Sequence, residues 1–323
     1  MITTTSKKEK ALQVYQDYTR LKNEIAKIIV GQDKVIKETI ISILSKGHCL
    51  LIGVPGLAKT LLVKTIADAL GLKFSRIQFT PDLMPSDILG SEILNEQKQF
   101  QFIKGPVFTN ILLADEINRT PPKTQSALLE SMQEQQVTIA GKCYPLPQPF
   151  FVIATQNPIE QEGTYPLPEA QLDRFMFSIY LNYPSIEEEI QIVKQTTSNQ
   201  QTTITKILNE QQILEYQQII REIPVTDFVI EYVVKLIHLT RDKNNPITKN
   251  FIEWGAGPRA SQNLILGAKC HALLNGKFSP DIEDVQALAT AVLQHRIVLN
   301  YKAEAENIKP KEIIQQLIQQ LAL

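Results

Sequence analysis

Cysteine is scarce in this sequence. Its 323 residues include three cysteines, Cys49, Cys143 and Cys270, which are odd in number and far apart. This pattern excludes a disulfide framework or a cysteine-rich zinc site, and it favours reduced thiols in a cytoplasmic protein.

Net charge and long apolar runs are lacking as well. The formal net charge is −1, so no global positive field draws the chain to nucleic acid or to an anionic membrane, and nucleic acid is disfavoured as a partner. No run of about 18 apolar residues occurs, so we expect no membrane span. The Thr- and Lys-rich segment Met1–Lys10 lacks the apolar stretch of a signal peptide. These absences predict a soluble, cytoplasmic protein.

The first half of the sequence alternates short apolar runs with helical patterns. Each run has about five residues and is almost continuously apolar, as parallel strands covered on both faces are. Helical patterns at Thr60–Leu70 and Pro122–Gln135 separate several of the runs. The runs are His48–Ile52, Phe74–Phe79, Ile111–Ala114, Phe150–Ala154 and Met176–Leu181. They predict an α/β fold with a parallel five-stranded sheet.

Helical patterns fill the second half, where we expect an all-helical domain. Ser185 begins a capping-box pattern, and Ser279, which is followed by proline, has the pattern of another helix start. The sequence therefore predicts two domains, residues 1–184 and 185–323, with a boundary near Pro184. The other segments assigned from pattern are helices at Asp227–Thr240 and Arg259–Leu274 and a surface connection at Gln195–Gln212.

A glycine-containing turn follows the first predicted strand. The segment Gly53–Thr60 leads at once into a helical pattern, which is the context that a phosphate-binding loop requires. In such a loop the backbone N–H groups form an anion-binding nest, Lys59 can reach the phosphates of ATP, and the Thr60 hydroxyl can ligate Mg²⁺. The alternative is a structural turn that happens to contain Lys-Thr.

One position of this loop departs from the consensus. Ala58 stands where the pattern has its second glycine, and we expect the backbone of Ala58 to keep a negative φ. The predicted nucleotide-binding residues are Gly53, Pro55, Gly56, Leu57, Ala58, Lys59, Thr60 and Leu61.

Polar residues follow two of the other predicted strands. Asp115, at the carboxyl end of one strand, can hold Mg²⁺ through water. Glu116 can orient and deprotonate the attacking water, which hydrolysis needs and simple nucleotide binding does not. Asn157 follows a second strand and can hydrogen-bond the γ-phosphate or the lytic water. The alternatives are a solvated acidic loop and ordinary turn chemistry before Pro158.

These segments resemble the motifs of one class of ATPases. Gly53–Thr60 looks like a Walker A motif, and Leu112–Glu116 looks like a Walker B motif. Thr155–Pro158 is similar to the sensor 1 segment of AAA+ ATPases. Together they identify the sequence as similar to an AAA+ core.

A longer match narrows this resemblance to the MoxR family. The run Leu113–Glu134 is similar to the hallmark stretch of MoxR ATPases, and Phe79–Gly90 and Gln161–Phe175 match that family too. The resemblance extends over roughly Val30–Asn300. Relatives in this family also carry alanine at the second Walker A glycine, so Ala58 does not count against nucleotide binding.

The resemblance implies an AAA+ core, an all-helical lid, and ATP with Mg²⁺ bound between them. Arg174 corresponds to the arginine finger, which reaches the γ-phosphate bound by a neighbouring subunit. Arg259 corresponds to sensor 2, where it would couple the lid to the phosphates of the nucleotide. For each arginine the alternative is a surface ion pair. The resemblance further implies a hexameric ring, a chaperone-like remodelling or maturation role, and a separate partner protein with a von Willebrand factor A domain.

Three further segments and three rival functions complete the expectations. Ile88–Lys104 is predicted to form a helix and a hairpin, and Val137–Leu146 is predicted to form a second hairpin. Such insertions face a pore or a substrate in related proteins, and the alternative is a solvated hairpin. Ile29–Gln32 looks like the segment that lines the adenine pocket of AAA+ domains. The rival functions are a nucleic-acid motor, a metal-chelatase-like AAA+ subunit and a non-hydrolysing switch. The near-neutral charge disfavours the motor, and Glu116 argues against the switch.

Overall fold

A computed structural model describes residues 4–160, 163–198 and 202–321. Three segments named above extend beyond these ranges. Residues 1–3 of the N-terminal segment, Gln161 and Glu162 of the family-like stretch, and residues 199–201 of the predicted surface connection lie outside the described residues.

Strands and helices are numbered in chain order. The strands are β1 (Cys49–Ile52), β2 (Phe74–Gln78), β3 (Gly90–Leu94), β4 (Phe100–Lys104), β5 (Ile111–Asp115), β6 (Gln136–Ile139), β7 (Lys142–Pro145), β8 (Phe151–Gln156), β9 (Phe177–Tyr180), β10 (Ile252–Trp254) and β11 (Val298–Leu299). The helices are α1 (Thr4–Ile25), α2 (Asp33–Leu44), α3 (Lys59–Leu70), α4 (Pro85–Leu89), α5 (Pro122–Glu134), α6 (Glu169–Leu172), α7 (Ile186–Thr196), α8 (Glu210–Glu222), α9 (Asp227–Leu239), α10 (Pro246–Phe251), α11 (Pro258–Leu274), α12 (Ile282–Leu293), α13 (Tyr301–Ala305) and α14 (Pro310–Leu321).

Five parallel strands form the central sheet, in the order β2-β5-β8-β1-β9. The predicted five-stranded parallel sheet is therefore confirmed, and the strand bounds lie close to the apolar runs. Because all five strands point the same way, their carboxyl ends meet at one edge of the sheet. We call this the carboxyl edge and the opposite one the amino edge. The loop after β1 and the ends of β5 and β8 all lie at the carboxyl edge.

Each face of the sheet packs against its own hydrophobic core. Alternation along β1 sends Leu51 into a core that also contains Val63 of α3 and Leu264 and Leu288 of the second half. Leu50 lies in the other core, which is formed with α5 and the segment around β2. The helices of the second half therefore pack directly on the α/β half.

Residues 185–198 and 202–321 are mostly helical, with one small β addition. The antiparallel ribbon β10–β11 was not predicted, because a two-residue strand leaves no pattern in the sequence. The predicted helix start at Ser279 is wrong. Helix α12 begins at Ile282, Asp281 caps it by accepting a hydrogen bond from the Asp284 N–H at 3.1 Å, and the Ser279 hydroxyl instead donates to the Pro224 carbonyl at 3.1 Å.

The predicted surface connection between α7 and α8 is partly packed. The Thr205 N–H donates to Glu24 Oε1 at 2.8 Å, the Ile207 N–H donates to the Ala69 carbonyl at 2.8 Å, and Leu208 is buried. This part of the chain runs back along α1 and α3. Most of the other described residues of this segment are exposed, so the predicted surface connection is confirmed, and a few apolar residues spaced among polar ones bind it to the core.

Two antiparallel hairpins, β3–β4 and β6–β7, confirm the two predicted insertions. They contact one another, since the ring of Phe102 stacks on the ring of Tyr144 with centroids 4.1 Å apart. Among the described residues, no helix is both long and apolar enough to cross a membrane.

Candidate functional site

The glycine-containing loop connects β1 to α3 at the carboxyl edge. Gly56 has φ 87°, and a side chain there would meet no atom within 4 Å, so the loop leaves open space beside its backbone. Ala58 has φ 53°, which contradicts the negative φ predicted for it. The chain must turn sharply to enter α3, so Ala58 adopts the left-handed conformation at a cost of about 1 kcal/mol or more.

The ammonium group of Lys59 lies in this loop. Its Nζ donates to the carbonyls of Gly53 at 2.5 Å and Val54 at 3.2 Å, and it forms no ion pair with any described residue. Partial burial lowers the pKa of Lys59, while the negative charges of Asp115, Glu116 and Glu160 oppose that shift. The loop and the carboxylates after β5 therefore belong to one electrostatic site.

Asp115 is held in a fixed orientation at the end of β5. The buried hydroxyl of Thr155 donates to its Oδ1 at 2.6 Å, and Arg76 on β2 donates to its Oδ2 at 2.6 Å and 3.1 Å. Asp115 itself is 7% exposed. A positioned carboxylate and the nearby Thr60 hydroxyl are oxygen ligands of the kind that Mg²⁺ prefers, so the residues present fit this ion.

Glu116 leaves the strand in a left-handed conformation, with φ 57°. Its N–H donates to Thr155 Oγ1 at 2.9 Å, while its carboxylate accepts a hydrogen bond from Gln78 Nε2 at 2.8 Å and pairs with Arg119 at 3.0 Å. Arg119 also pairs with Glu160. The carboxylate of Glu116 is thus restrained from two sides at the carboxyl edge.

Asn157 follows β8 at the same edge and is 4% exposed. Its Oδ1 accepts a hydrogen bond from the Ile159 N–H at 3.2 Å, which leaves the side-chain NH₂ as a donor. The structure therefore gathers the phosphate loop, Asp115, Glu116 and Asn157 at one edge of the sheet, in agreement with the sequence analysis.

A cavity of about 150 Å³ adjoins the phosphate loop. It is largely apolar, as expected of a pocket for a flat aromatic base. Its wall includes most of the segment Ile29–Gln32 that was compared with an adenine pocket, and the first residues of the lid half close the other side. The lining residues are Ile28, Ile29, Val30, Gln32, Gly56, Leu57, Ala58, Leu61, Leu62, Pro184, Ile192, Gln195 and Thr196.

Arg174 and Arg259 lie elsewhere, at the amino edge. Both line a cavity that also contains Lys46, Gly47 and His48, which directly precede β1. From Gly47 to the phosphate loop the chain spans about 20 Å of extended strand, longer than an arginine side chain.

Arg259 is therefore too far from the phosphate loop of its own chain to reach a nucleotide bound there. Helix α11 packs along α1, α2 and α8, and its first turn lies over the amino edge. Arg259 pairs there with Asp173 at 3.1 Å, and Asp173 also pairs with the buried Arg296 at 2.7 Å. Arg174 is the neighbour of this cluster in sequence, so the two arginines assigned to phosphate recognition lie together.

Three side chains of the carboxyl edge, and one contact of a fourth, were missed in the sequence analysis. Arg76 and Gln78 orient Asp115 and Glu116, and Thr155 bonds to both residues. A signal for two of them was present, because Arg76 and Gln78 alternate on one face at the end of an apolar strand. The pairing of Arg119 with Glu116 could not be read from sequence, because it depends on the turn after β5.

Comparisons with known proteins agree with this geometry. The chain matches the profile of the ATPase family associated with various cellular activities (AAA) over residues 48–177, and an AAA lid domain over residues 245–317. Chaperone MoxR1 of Mycobacterium tuberculosis is 47% identical over 305 residues, which are 93% of this chain and 80% of that protein. Protein MoxR of Methylorubrum extorquens is 30% identical over 313 residues, which cover 90% and 91% of the two chains.

A solved structure extends the similarity to the whole fold. The crystal structure of an ATPase candidate from Cytophaga hutchinsonii is 44% identical and superimposes with a TM-score of 0.92, over 99% of this chain and 98% of that chain. The match therefore includes the sheet, both hairpins and the helical lid. With the Walker motifs placed at the carboxyl edge and MoxR relatives similar along almost the full length, the chain belongs to the MoxR family of AAA+ ATPases.

Proposed function

We propose that this chain binds ATP with Mg²⁺ and hydrolyses it to ADP and phosphate. The observation that carries the proposal is the position of Glu116, a restrained carboxylate beside a phosphate loop. The Thr155 hydroxyl links it to Asp115, because this hydroxyl accepts a hydrogen bond from the Glu116 N–H and donates one to the Asp115 carboxylate. A protein that only bound nucleotide would have no use for a base at that point.

The roles follow from the contacts. The loop N–H groups and Lys59 would bind the phosphates, and Thr60 and Asp115 would hold the Mg²⁺, which when bound neutralises charge on the transferring phosphoryl group. Glu116 would accept the proton of the attacking water at a carboxylate oxygen. The NH₂ of Asn157 would donate to the γ-phosphate or to that water. The apolar cavity beside Leu61 would hold the adenine.

Arg174 and Arg259 lie at the amino edge, whereas the proposed nucleotide site of the same chain lies at the carboxyl edge. We infer that Arg174 and Arg259 act on the nucleotide of a neighbouring copy, in a ring that we expect to be hexameric. A guanidinium neutralises charge on the phosphoryl group in transfer, so hydrolysis would depend on assembly.

The biological role that we propose is chaperone-like remodelling or maturation of other proteins in the cytoplasm. It is supported by the relatives named chaperone and MoxR, and a partner with a von Willebrand factor A domain remains part of the proposal. We also propose that residues 1–184 and 185–323 act as the nucleotide-binding domain and the lid, which move relative to each other during the cycle.

Steady-state ATP turnover, measured against protein concentration, tests the enzymatic proposal. Specific activity should rise with concentration, and Glu116→Gln should bind ATP while turnover falls about a thousandfold. An equimolar mixture of Glu116→Gln and Arg174→Ala should recover activity, because each variant supplies the residue that the other lacks. Wild-type protein that fails to bind Mg²⁺·ATP would refute the central claim.

Two control reactions separate the rival functions. Stimulation of turnover tenfold or more by single- or double-stranded DNA would favour a nucleic-acid motor, and dependence on a tetrapyrrole would favour a chelatase subunit. We expect no stimulation by DNA, since the chain carries a formal net charge of −1.

A further inference from the structure

The cavity at the amino edge has an unusual charge. Among the described residues that line it, four carry positive side chains and none carries a carboxylate. The four are Lys46, Arg174, Arg221 and Arg259. Two of them, Lys46 and Arg221, take no part in the function proposed above.

The four cations come from separate elements. Lys46 follows α2 and has φ 61°, so the backbone turns sharply at this residue just before β1. Arg221 lies in the last turn of α8, Arg174 lies between α6 and β9, and Arg259 lies in the first turn of α11. Each of the four elements contributes one cation to the same cavity. Charges on an ordinary solvated helix face would come from a single helix, so such a face does not explain this cluster.

The positive charge of this cavity is mostly uncompensated. Among the described residues, Lys46, Arg174 and Arg221 form no ion pair, and Arg259 shares the carboxylate of Asp173 with Arg296. Like charges gathered in one cavity repel one another, and a bound anion would relieve that repulsion.

The rest of the lining fits an anion as well. Side-chain amides also line the cavity and can donate hydrogen bonds without adding charge. The amide residues are Gln133, Gln135, Gln262 and Asn263. The volume of about 330 Å³ is at the small end for ligand pockets, which suits a compact group of phosphates better than a large organic molecule.

We propose that Lys46 and Arg221 complete a phosphate-binding pocket with Arg174 and Arg259, and that this pocket receives the terminal phosphates of the nucleotide held by a second copy of the chain. The proposal rests on the ring ATPase proposed above and adds two residues to it. The phosphate loop of the same chain lies at the opposite edge, so only another copy can bring its nucleotide to this cavity.

The test compares turnover and binding in two double variants. Lys46→Ala/Arg221→Ala should lower ATP turnover at least tenfold, while the affinity of a fluorescent ADP analogue for the phosphate loop stays within twofold of wild type. The matched control is Lys249→Ala/Arg241→Ala, which removes an exposed lysine and an exposed arginine elsewhere in the helical half and should leave turnover unchanged.

Mixing shows whether the loss acts across the interface. A Lys59→Ala chain, which cannot hold nucleotide but has an intact amino edge, should restore activity when mixed with Lys46→Ala/Arg221→Ala. The conservative variant Arg221→Lys should keep at least a third of wild-type turnover. A purely structural role for the two residues would give no recovery on mixing.

Other outcomes overturn the proposal in distinguishable ways. If the double variant assembles and hydrolyses ATP at the wild-type rate, the pocket assignment is wrong and the ring ATPase stands. Binding of a single-stranded DNA 20-mer by wild type, lost in the double variant with turnover intact, would assign the cavity to nucleic acid instead. If wild-type protein hydrolyses no ATP at any concentration, the proposed function itself is contradicted. The pocket proposal, which rests on that function, is then contradicted with it.

Discussion

The two edges of the central sheet differ in charge, in burial and in pairing. At the carboxyl edge the two carboxylates are buried or half-buried and held by hydrogen bonds, as Asp115 shows with its two partners. At the amino edge the clustered groups are basic and more exposed, and most of them form no ion pair with a described residue, as Lys46 and Arg221 show. The carboxylates proposed to act in hydrolysis are already held in position at the carboxyl edge. The cations proposed to neutralise the phosphates at the amino edge would gain their partners only when a ligand binds.

Under the proposed function, this difference means that neither edge is complete in a single chain. A base and a metal-binding carboxylate need fixed geometry, which buried hydrogen bonds provide. Cations that bind the phosphates of a nucleotide on another subunit must be exposed on the surface of the free chain. They lose their hydration only when the subunits assemble. Helix α2 spans the two edges, since Gln32, which directly precedes it, lines the apolar cavity beside the phosphate loop, and its last turn leads to Lys46.

The comparison between the edges would fail if Arg259 acted on the nucleotide of its own chain. Arg259→Ala is therefore the variant that tests it most directly. We expect ATP turnover to fall about a thousandfold, the scale on which an arginine supplies charge in phosphoryl transfer. Mixing Arg259→Ala with Lys59→Ala should restore a measurable fraction of wild-type turnover, because the two chains complement each other. No recovery, with normal assembly of the mixture, would place Arg259 at the nucleotide of its own chain.

A buried carboxyl in α2 gives a prediction on stability. Burial raises the pKa of Glu38 to about 7 from an ordinary value of 4.5, although Lys34 opposes this shift. Between these two pH values the folded state keeps a proton that the unfolded state has released, so the free energy of unfolding should fall as pH rises. Above pH 7 the accumulated loss is about 3 kcal/mol.

Glu38→Gln isolates this effect. Urea unfolding of the nucleotide-free protein at pH 5 and pH 8 should show a loss of stability in wild type that the variant lacks. The control Glu231→Gln removes an exposed carboxylate from α9 and should follow wild type. A wild-type curve that rises over the same pH interval would show that other groups dominate.

The sheet and the carboxyl edge were predictable from sequence, and the amino edge was not. Strands such as β5 leave continuous apolar runs, and the residues after them reach the carboxyl edge by topology alone. The placement of Arg259 depends on how α11 packs against α2 and α8, which no local pattern encodes. Family likeness supplied a role for this arginine but not the chain on which it acts.

The same limit explains the smaller errors. The start of α12 moved from Ser279 to Asp281 because both residues can cap a helix and tertiary contact chose between them. The contacts of Arg221 and Lys46 join elements that are far apart in sequence. The positions of side chains in one continuous motif could be predicted from sequence. The grouping of side chains from separate helices could not.

The restraint on Glu116 at the carboxyl edge can be loosened without removing the base. Gln78→Leu deletes the amide that donates to its carboxylate, while Arg119 still pairs with it. We expect kcat for ATP to fall about tenfold, because a carboxylate with one restraint fewer is less well placed to accept the proton of the attacking water. The exposed Gln101→Leu on β4 serves as control, and an unchanged kcat for Gln78→Leu would mean that Arg119 alone is enough to position Glu116.

The smallest effect concerns the phosphate loop, where sequence and structure disagree on the backbone of Ala58. With φ at 53°, alanine is strained there by roughly 1–2 kcal/mol, and glycine would be free of that strain. Glycine also loses more chain entropy on folding, about 0.4–1 kcal/mol, so Ala58→Gly should stabilise the protein by about 0.5 kcal/mol. If φ were negative, as the sequence suggested, only the entropy difference would remain and the same substitution would destabilise the fold. The sign of the change in urea midpoint therefore decides between the two conformations, and Ala289→Gly, inside helix α12, supplies the destabilising reference.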